Sequence, residues 1–234
     1  MAIRPVYVVS LEKDKHFKIE EIEFKYFSGF SIQQKRRSIN SLHAAYLEKN
    51  KGKRILEIST KSENVTGVQL SAFNLMIETE DEMRFSVESA FQSSKVFENG
   101  KSYKELLYVS SREAKRDERL KNSGNVIEFS YFGNTFPIEP KTYFYNWLYI
   151  NALESHPKLK EKIIQYDAFT DIAFNPQKSL NCQAEAAAVY VSLYRKNLLK
   201  KALQSKEDFL SIVYSEHVGT YSTFSENVQL KLFD

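Results

Sequence analysis

Apolar and polar residues near the N-terminus follow a strand-like pattern that then becomes helix-like. Residues 6–9 and 22–26 are rich in β-branched and aromatic side chains and flank the charged segment 12–16, which predicts two paired strands joined by a turn. In residues 31–46, apolar positions recur near helical spacing and a basic run occupies other positions. This pattern predicts an amphipathic basic helix, followed by a short strand at residues 55–58.

Caps and turn residues divide the middle of the chain. Residues 67–75 are predicted to form a loop or an extended piece. Ser86 is the predicted N-cap of a helix that should run through Phe97, because Asn99-Gly100 is a stop signal. Residues 105–108 and 114–119 suggest a helix with a charged side, and residues 128–138 predict a hairpin about Gly133-Asn134.

The remaining pattern is mainly helical. Residues 142–153, around Trp147, predict a largely buried helix, and residues 159–165 and 183–195 predict two more, separated by a polar segment at 167–181. The whole pattern predicts an α+β fold that is mainly helical, with a few short strands, an N-terminal strand pair and a basic helix. We expect one domain over residues 1–205, with residues 1–66 as an N-terminal extension. Residues 206–234 should form a mobile tail or an edge strand.

Composition excludes several function classes. The 234 residues are 42% hydrophobic and 27% charged, with one cysteine and four histidines that lack metal-ligand spacing, so we expect no internal disulfide, no metal and no cofactor. Neither a long apolar run nor a secretory signal occurs, which favours a cytoplasmic protein without a membrane span. The glycines form neither a dinucleotide-binding nor a P-loop motif. A net charge of +3 suits a phosphate-bearing partner without identifying it.

The strongest candidate chemistry lies in the predicted helix that begins after Ser86. Glu88, Phe91, Gln92 and Lys95 stand at positions i, i+3, i+4 and i+7, so a continuous helix would place them on one face. An acid, a ring, an amide and an amine together can bind a ribosyl group, with the lysine attacking its anomeric carbon. On pattern alone a solvated helix face is the commoner outcome, although it would leave a phenylalanine in water.

Two segments carry a family resemblance. Residues 70–75, LSAFNL, and 85–95, FSVESAFQSSK, resemble the paired signature of the NADAR family, also called YbiA-like: a loop similar to LSNFY and a helix of the form SxExxFQxxK. Residues 114–119 resemble its AKxxGR element, and Trp147 matches the tryptophan of a later helix. Ala72 and Glu118 stand where the family usually has Asn and Gly, which suggests a subfamily.

A closer resemblance covers nearly the whole chain. Residues 4–7, 24–30, 166–172 and 181–184 resemble the NADAR antitoxins that are encoded beside DarT-type toxins. Those toxins attach ADP-ribose to guanine in DNA, and the antitoxins are understood to cleave the bond between the distal ribose and the guanine amine. The resemblance therefore implies an ADP-ribosyl glycosidase that repairs ADP-ribosylated DNA, releases ADP-ribose and is functionally linked to a DarT-type toxin.

The resemblance also implies roles for individual residues. Lys95 would be the catalytic amine, forming a Schiff base with the ring-opened ribose, and Glu88 would bind ribose hydroxyls or assist proton transfer. Lys115 and Arg119, at i and i+4, would clamp a pyrophosphate, although an ordinary charged helix face has the same pattern. Trp147 would stack on a base, although a core position is the commoner role. The implied ligand-binding residues are Ser71, Phe73, Asn74, Phe91, Gln92, Lys115, Arg119, Trp147, Asp171, Asn181 and Gln183.

Two peripheral segments suggest further partners. Lys35, Arg36 and Arg37 would meet DNA phosphates, although such a run is usually just solvated. Near the C-terminus, Gln229, Leu230, Leu232 and Phe233 resemble a sliding-clamp-binding pentapeptide, with a terminal edge strand as the simpler account. Two other functions stay open: a module that binds ADP-ribose or sequesters a toxin without turnover, and an N-glycosidase of a small ribosylated metabolite.

Overall fold

The computed structural model describes residues 1–174 and 182–215 and confirms an α+β fold. The strands are β1 (Ala2–Val9), β2 (Phe17–Phe24), β3 (Ile55–Glu57), β4 (Met76–Glu78), β5 (Arg84–Ser86), β6 (Lys95–Phe97), β7 (Val126–Tyr131), β8 (Asn134–Pro137) and β9 (Ala168–Thr170). The helices are α1 (Ile32–Lys49), α2 (Val65–Gln69), α3 (Val87–Ser93), α4 (Ser111–Arg116), α5 (Tyr143–Glu154), α6 (Pro157–Ile163), α7 (Gln183–Arg195), α8 (Leu199–Ala202) and α9 (Lys206–Val213). Within these described ranges, we find no helix that is both long and apolar enough to cross a membrane.

A four-stranded sheet in the order β2-β1-β9-β3 organises the N-terminal half. Its strand pair β1–β2 is antiparallel, and α1 is capped by Ser31, whose side chain accepts from the Gln34 amide, so the predicted strand pair and basic helix are confirmed. Successive side chains on a strand point to opposite faces. Val6 therefore packs in the core beneath α1, whereas Tyr7 packs in the core that contains α7. The sheet is thus covered by a helix on each face.

The strand pairing decides which loops meet at one edge of this sheet. β3 and β9 run parallel, and β1 runs antiparallel to β9, with Tyr7 opposite Phe169. β2 ends where β1 begins, because Phe24 pairs with Ala2. The C-terminal ends of β2, β3 and β9 consequently lie at the same edge, which we call the site edge. The loops that leave from it begin at residues 25, 58 and 171.

The hairpin β7–β8 packs against α5 through aromatic rings. The ring of Phe144 in α5 stacks on Phe129 of β7 with centroids 4.8 Å apart. The centroid of Phe136 in β8 also lies 4.8 Å from that of Phe144. The predicted hairpin is confirmed, but its turn is at Phe132 and Gly133, which both have positive φ angles (43° and 77°). Positive φ at both central residues is the type I′ geometry that suits the twist of a hairpin.

Short elements near the site differ from the predictions. α2 occupies part of the expected loop at residues 67–75, and the strand pair β4–β5 follows it. β9 lies inside the predicted polar segment 167–181. The predicted helix from Ser86 through Phe97 is too long, because α3 ends at Ser93 and the next strand pairs with β7. The hydroxyls of Ser93 and Ser94 bond back to the Ala90 carbonyl at this end (3.0 and 2.7 Å).

The tail or edge strand predicted for residues 206–234 is wrong for its first part. Lys206–Val213 is helix α9, because Ser205 caps it by accepting from the Asp208 amide and Phe209 is fully buried. The ring of Phe209 stacks on Tyr143 of α5 at 6.3 Å, so this helix shares the core of the preceding residues. Residues 216–234, including the predicted clamp-binding pentapeptide, lie outside the described residues.

Candidate active site at the site edge

Helix α3 is buried along its whole length. All its residues, 87–93, are buried. The alternative prediction, a helix face exposed to solvent, is therefore wrong. Ser86 caps the helix by accepting from the Ser89 amide (3.0 Å), and the hydroxyl of Ser111 lies 2.7 Å from the Ser86 hydroxyl oxygen. The Glu88 amide also donates to the Ala72 carbonyl at 2.9 Å. These bonds fix α3 against the loop that precedes it and against α4.

Glu88 is a buried carboxylate with two polar neighbours. Its side chain is 5% exposed, and its Oε1 accepts from Gln92 Nε2 at 2.8 Å. The same oxygen lies 3.6 Å from Nζ of Lys115, which reaches it from α4. Burial of a charged group is unfavourable because the group loses its hydration, unless hydrogen bonds and an opposite charge compensate for that loss. Gln92 and Lys115 supply these interactions to Glu88.

Lys95 does not lie on this helix, which corrects the predicted i+7 position. It is the first residue of β6, opposite Phe129. The strand follows α3 so closely that the Lys95 Nζ still lies 5.2 Å from the centre of the Phe91 ring. Burial lowers the pKa of Lys95; the negative charge of Glu88 opposes this shift, and the positive charge of Lys115 adds to it. The structure therefore favours a neutral, nucleophilic amine more than water does.

We call these four residues the amine wall: Glu88, Gln92, Lys95 and Lys115. The two charges beside Lys95 act in opposite directions on its pKa, and burial is the largest of the three influences. Phe91, whose ring lies near the Lys95 amine, is 6% exposed and packs edge-on against Tyr145 at 5.2 Å. Phe91 is part of the hydrophobic core, and its implied contact with a ligand stays a prediction.

A second wall lies at the ends of β3 and β9, and it consists of Glu57, Asp171 and Gln183. Asp171 follows β9 directly, and its Oδ2 accepts from Gln183 Nε2 at 2.9 Å. Burial raises the pKa of Asp171 to about 6, against the lowering influence of the Ala173 amide and other neighbours. Gln183 Oε1 accepts from the Ala72 amide at 2.8 Å, so this carboxyl wall is joined to the same loop as α3.

Glu57 stands behind Asp171 and is 2% exposed. Its carboxylate accepts from the Ser59 and Thr170 hydroxyls (2.7 and 2.6 Å) and from the Ile172 amide (2.9 Å). Burial raises the pKa of Glu57 to about 8, and the charge of Asp171 raises it further. A Cβ on Gly67 would collide with the Glu57 carbonyl oxygen, so this position of α2 requires glycine. The carboxyl wall is thus tightly enclosed.

Tyr145 links the two walls electrostatically. Burial raises its pKa well above the ordinary value, and the next largest cause is the charge of Glu88; Asp171 also contributes. Sequence analysis missed Tyr145, because one tyrosine in an aromatic helix carries no distinctive signal. It also missed Glu57, although a lone acid within the apolar run at residues 55–58 is a signal of a buried polar contact.

The loop between α2 and β4 contributes backbone rather than reactive groups. Ser71 is 1% exposed, and its hydroxyl accepts from the Phe73 amide at 3.3 Å. Asn74 donates through Nδ2 to the Val68 carbonyl at 2.8 Å. Phe73 is the exception, because Nζ of Lys115 lies 5.1 Å from the centre of its ring. A ring and a cation therefore stand together at the exposed side of the amine wall.

Lys115 and Arg119 do not form the predicted i, i+4 pair on one helix. α4 ends at Arg116, and Arg119 lies in a separate 3-10 turn, Glu118–Leu120. Its guanidinium pairs with Asp117 and Glu105, at 2.7 Å from each. Those two carboxylates occupy Arg119, whereas the ammonium of Lys115 is turned toward Glu88.

Trp147 packs on the hairpin. Its ring lies 4.9 Å from Phe136 and 6.2 Å from Tyr131. Positions two apart on a helix do not face each other, so Trp147 and Tyr145 point to different sides of α5.

Asn181 lies outside the described residues. The basic residues of α1 lie near its N-terminus at the site edge, where Arg36 Nε donates to the Lys61 carbonyl at 3.4 Å.

Fold and site together define an α+β protein with a desolvated amine beside a buried carboxylate at the edge of a small mixed sheet. A family model of the DarT1-associated NADAR antitoxins matches residues 2–223. The chain belongs to this family, and the resemblance seen in the sequence is confirmed. Membership assigns it an antitoxin role associated with the DarT1 toxin. No curated protein shows significant similarity to the chain.

Proposed function

We propose that the protein is a glycosidase that removes ADP-ribose from guanine bases in DNA and so reverses the action of a DarT-type toxin. The observation that carries this proposal is the amine of Lys95, whose pKa is lowered by burial beside the carboxylate of Glu88. Cleavage of an N-glycosidic bond through an amine needs a nucleophile that is neutral near pH 7. Family membership supplies the biological context of an antitoxin.

The proposed reaction begins with opening of the distal ribose ring. The bond between the anomeric carbon and the ring oxygen breaks, the ring oxygen takes a proton, and the guanine nitrogen forms an iminium with that carbon. The neutral amine of Lys95 then adds to the carbon. A proton moves from the lysine nitrogen to the guanine nitrogen, and guanine leaves with its amine intact. The lysine is left joined to the open ribose as a protonated Schiff base.

Water completes the proposed cycle. It adds to the imine carbon, loses a proton, and the carbon–lysine bond breaks to give the aldehyde, which closes to ADP-ribose. One water is consumed overall, and Lys95 is regenerated as an amine. Glu88 would take and return protons in these steps; its burial and its electrostatic influence on Lys95 support this role. Asp171 would accept hydrogen bonds from ribose hydroxyls.

The proposed diphosphate contact is Lys115. Its side chain is 56% exposed while its Nζ lies 3.6 Å from Glu88, so it can meet solvent and the amine wall together. The ring of Phe73, beside the same ammonium, is available to a base or ribose. Arg119 is engaged by Asp117 and Glu105, which weakens its part in a clamp.

The test is release of ADP-ribose from a single-stranded oligonucleotide that carries one ADP-ribosylated guanine. We expect turnover by the wild type and a loss of about a thousandfold or more in Lys95→Ala, because removal of a covalent nucleophile has effects of this size. Lys95→Arg retains a cation but cannot form the imine, and it should be equally inactive.

The same assay separates the alternatives. Binding of ADP-ribose without release by the wild type would show a binding module and would overturn the proposal. Faster release from a free ribosylated metabolite than from the oligonucleotide would move the substrate class to small molecules. Unchanged turnover in Lys95→Ala would exclude the Schiff-base mechanism.

A further inference from the structure

The loop between β2 and α1 combines exposed aromatic and basic side chains. Phe30 is fully exposed, and Ile32, two residues further on at the start of α1, is 44% exposed. The guanidinium carbon of Arg37 lies 4.1 Å from the centre of the Phe27 ring, and Nζ of Lys25 lies 5.4 Å from the same ring. Aromatic rings among cations are the composition that binds single-stranded nucleic acid.

This loop is held in place rather than loosely attached. The Phe27 amide donates to the Ser38 hydroxyl at 3.0 Å, and Ser38 is fully buried in α1. Lys35 Nζ donates to the Tyr26 hydroxyl at 2.7 Å, which orients that ammonium beside the loop. A loop with an anchored base costs less ordering on binding than a wholly flexible one, so the arrangement suits a stacking contact.

The strand pairing puts this loop at the site edge. It leaves from the end of β2, whereas Asp171 leaves from the end of β9, two strands away in the same sheet. Neighbouring strands lie about 5 Å apart, and β2 continues about four residues beyond the level of Asp171, because Phe24 lies opposite Ala2 whereas Phe169 lies opposite Tyr7. At about 3.3 Å per residue, the two loops begin about 10 Å apart across the strands and about 13 Å apart along them, which is about 16 Å in all. A DNA strand with its modified base in the site would therefore pass the loop within a few nucleotides.

We propose that residues 25–37 form a binding surface for the single-stranded DNA that flanks the modified guanine, with Phe30 stacking on an unpaired base and Lys35 and Arg37 contacting phosphates. This surface, which we call the flanking-strand surface, deepens the proposed function and rests on it for the identity of the substrate. Stacking needs an unpaired base, because the faces of paired bases are covered inside a duplex.

The first measurement is the affinity for an unmodified single-stranded 12-mer, by fluorescence anisotropy, at several salt concentrations. Phe30→Ala should weaken binding about tenfold, and Phe30→Trp should restore it. Lys35→Glu with Arg37→Glu should weaken binding and flatten its salt dependence, because fewer counterions are released. The matched controls lie in the β1–β2 turn at the opposite edge of the sheet: Leu11→Ala, which is also exposed, and Lys13→Glu with Lys15→Glu.

The second measurement is the ratio of kcat/KM on the modified oligonucleotide to kcat/KM on ADP-ribosylated guanosine. This ratio should fall about tenfold in Phe30→Ala and stay at the wild-type value in the control variants. Wild-type affinity in Phe30→Ala, or tighter binding of a duplex than of the single strand, would overturn the inference. If the wild type turns over neither substrate while Phe30→Ala still loses DNA affinity, the proposed function fails and the surface stands.

Discussion

Burial changes the protonation of the amine wall and of the carboxyl wall in opposite directions. On the amine wall, burial lowers the pKa of Lys95 and so favours loss of a proton. On the carboxyl wall, it raises the pKa of Asp171 to about 6 and that of Glu57 to about 8, which favours holding one. Burial disfavours whichever form is charged, so the sign of the shift follows the chemical group.

This difference shows how burial alone can favour a neutral amine and a protonated carboxyl group in neighbouring parts of one protein near pH 7. Groups whose environments move their pKa values toward neutrality can exchange protons with a substrate at low cost. Direct charge partners modify the result on each wall: Glu88 opposes the shift of Lys95, and Lys115 lowers the pKa of Asp171. The comparison therefore predicts distinct effects for each substitution.

Among substitutions of the charged neighbours of Lys95, the largest effect on kcat is expected for Glu88→Gln. Loss of a proton-transfer group lowers kcat by about a hundredfold or more. The variant also removes the negative charge that stabilises the Lys95 cation, so the pKa of Lys95 should fall further and the rising limb of the pH–rate profile should move to lower pH. Exposed Glu118→Gln is the control. A rising limb that stays in place would show that Lys95 does not control the rate.

A smaller effect is expected for Lys115→Gln. Loss of one cation from a diphosphate contact should weaken ADP-ribose binding about tenfold, measured by calorimetry. The pKa of Lys95 should rise, because Lys115 lowers it, so the rising limb should move opposite to that of Glu88→Gln. Arg119→Gln serves as the matched comparison and should change the affinity less than about twofold. Equal losses of ADP-ribose affinity in both variants would instead support the prediction that Lys115 and Arg119 clamp the diphosphate together.

A third effect concerns stability rather than catalysis. Because the folded-state pKa of Glu57 lies above its ordinary value of 4.5, the folded protein binds this proton more tightly than the unfolded chain. The contribution of Glu57 to stability is therefore fully present below about pH 4.5 and is lost as pH rises to about 8. The loss is about 1.4 kcal/mol per unit of raised pKa.

Urea unfolding of wild type and Glu57→Gln at pH 5 and pH 8 measures this loss. The glutamine does not titrate, so the wild type should lose stability relative to the variant as pH rises. The comparison cancels His43, whose pKa is lowered to about 4 by burial and whose own contribution changes with pH in the opposite direction. A constant difference between the two proteins would show that Glu57 titrates normally.

Sequence patterns predicted the long elements well. α1, α5 and α7 have clear caps or an extended apolar pattern, and α7 begins and ends where residues 183–195 indicated. β9 was missed because its three residues lie within a polar segment and depend on pairing with β1 and β3, which no local pattern reveals. Strand formation by Lys95 likewise depends on β7, which is distant in sequence.

The geometry around the candidate site residues could be predicted only in part, because some of it depends on contacts between residues distant in sequence. The position of Glu88 and Gln92 one helical turn apart follows from spacing, and they are indeed hydrogen-bonded. The pairing of Arg119 with Glu105 depends on how two short 3-10 turns pack together, and spacing cannot show it. The functional interpretation came from the resemblance to a known family. The distribution of charged groups between the two walls could be seen only in the three-dimensional structure.

Trapping of the Schiff base tests the central claim most directly. Borohydride added during turnover of an oligonucleotide with ADP-ribosylated guanine would reduce the imine to a stable amine, and mass spectrometry of the digested protein would locate it. We predict an ADP-ribose-derived adduct on Lys95 that is absent from Lys95→Arg. Release of ADP-ribose by the wild type with no adduct, or with the adduct on Lys115, would contradict the account.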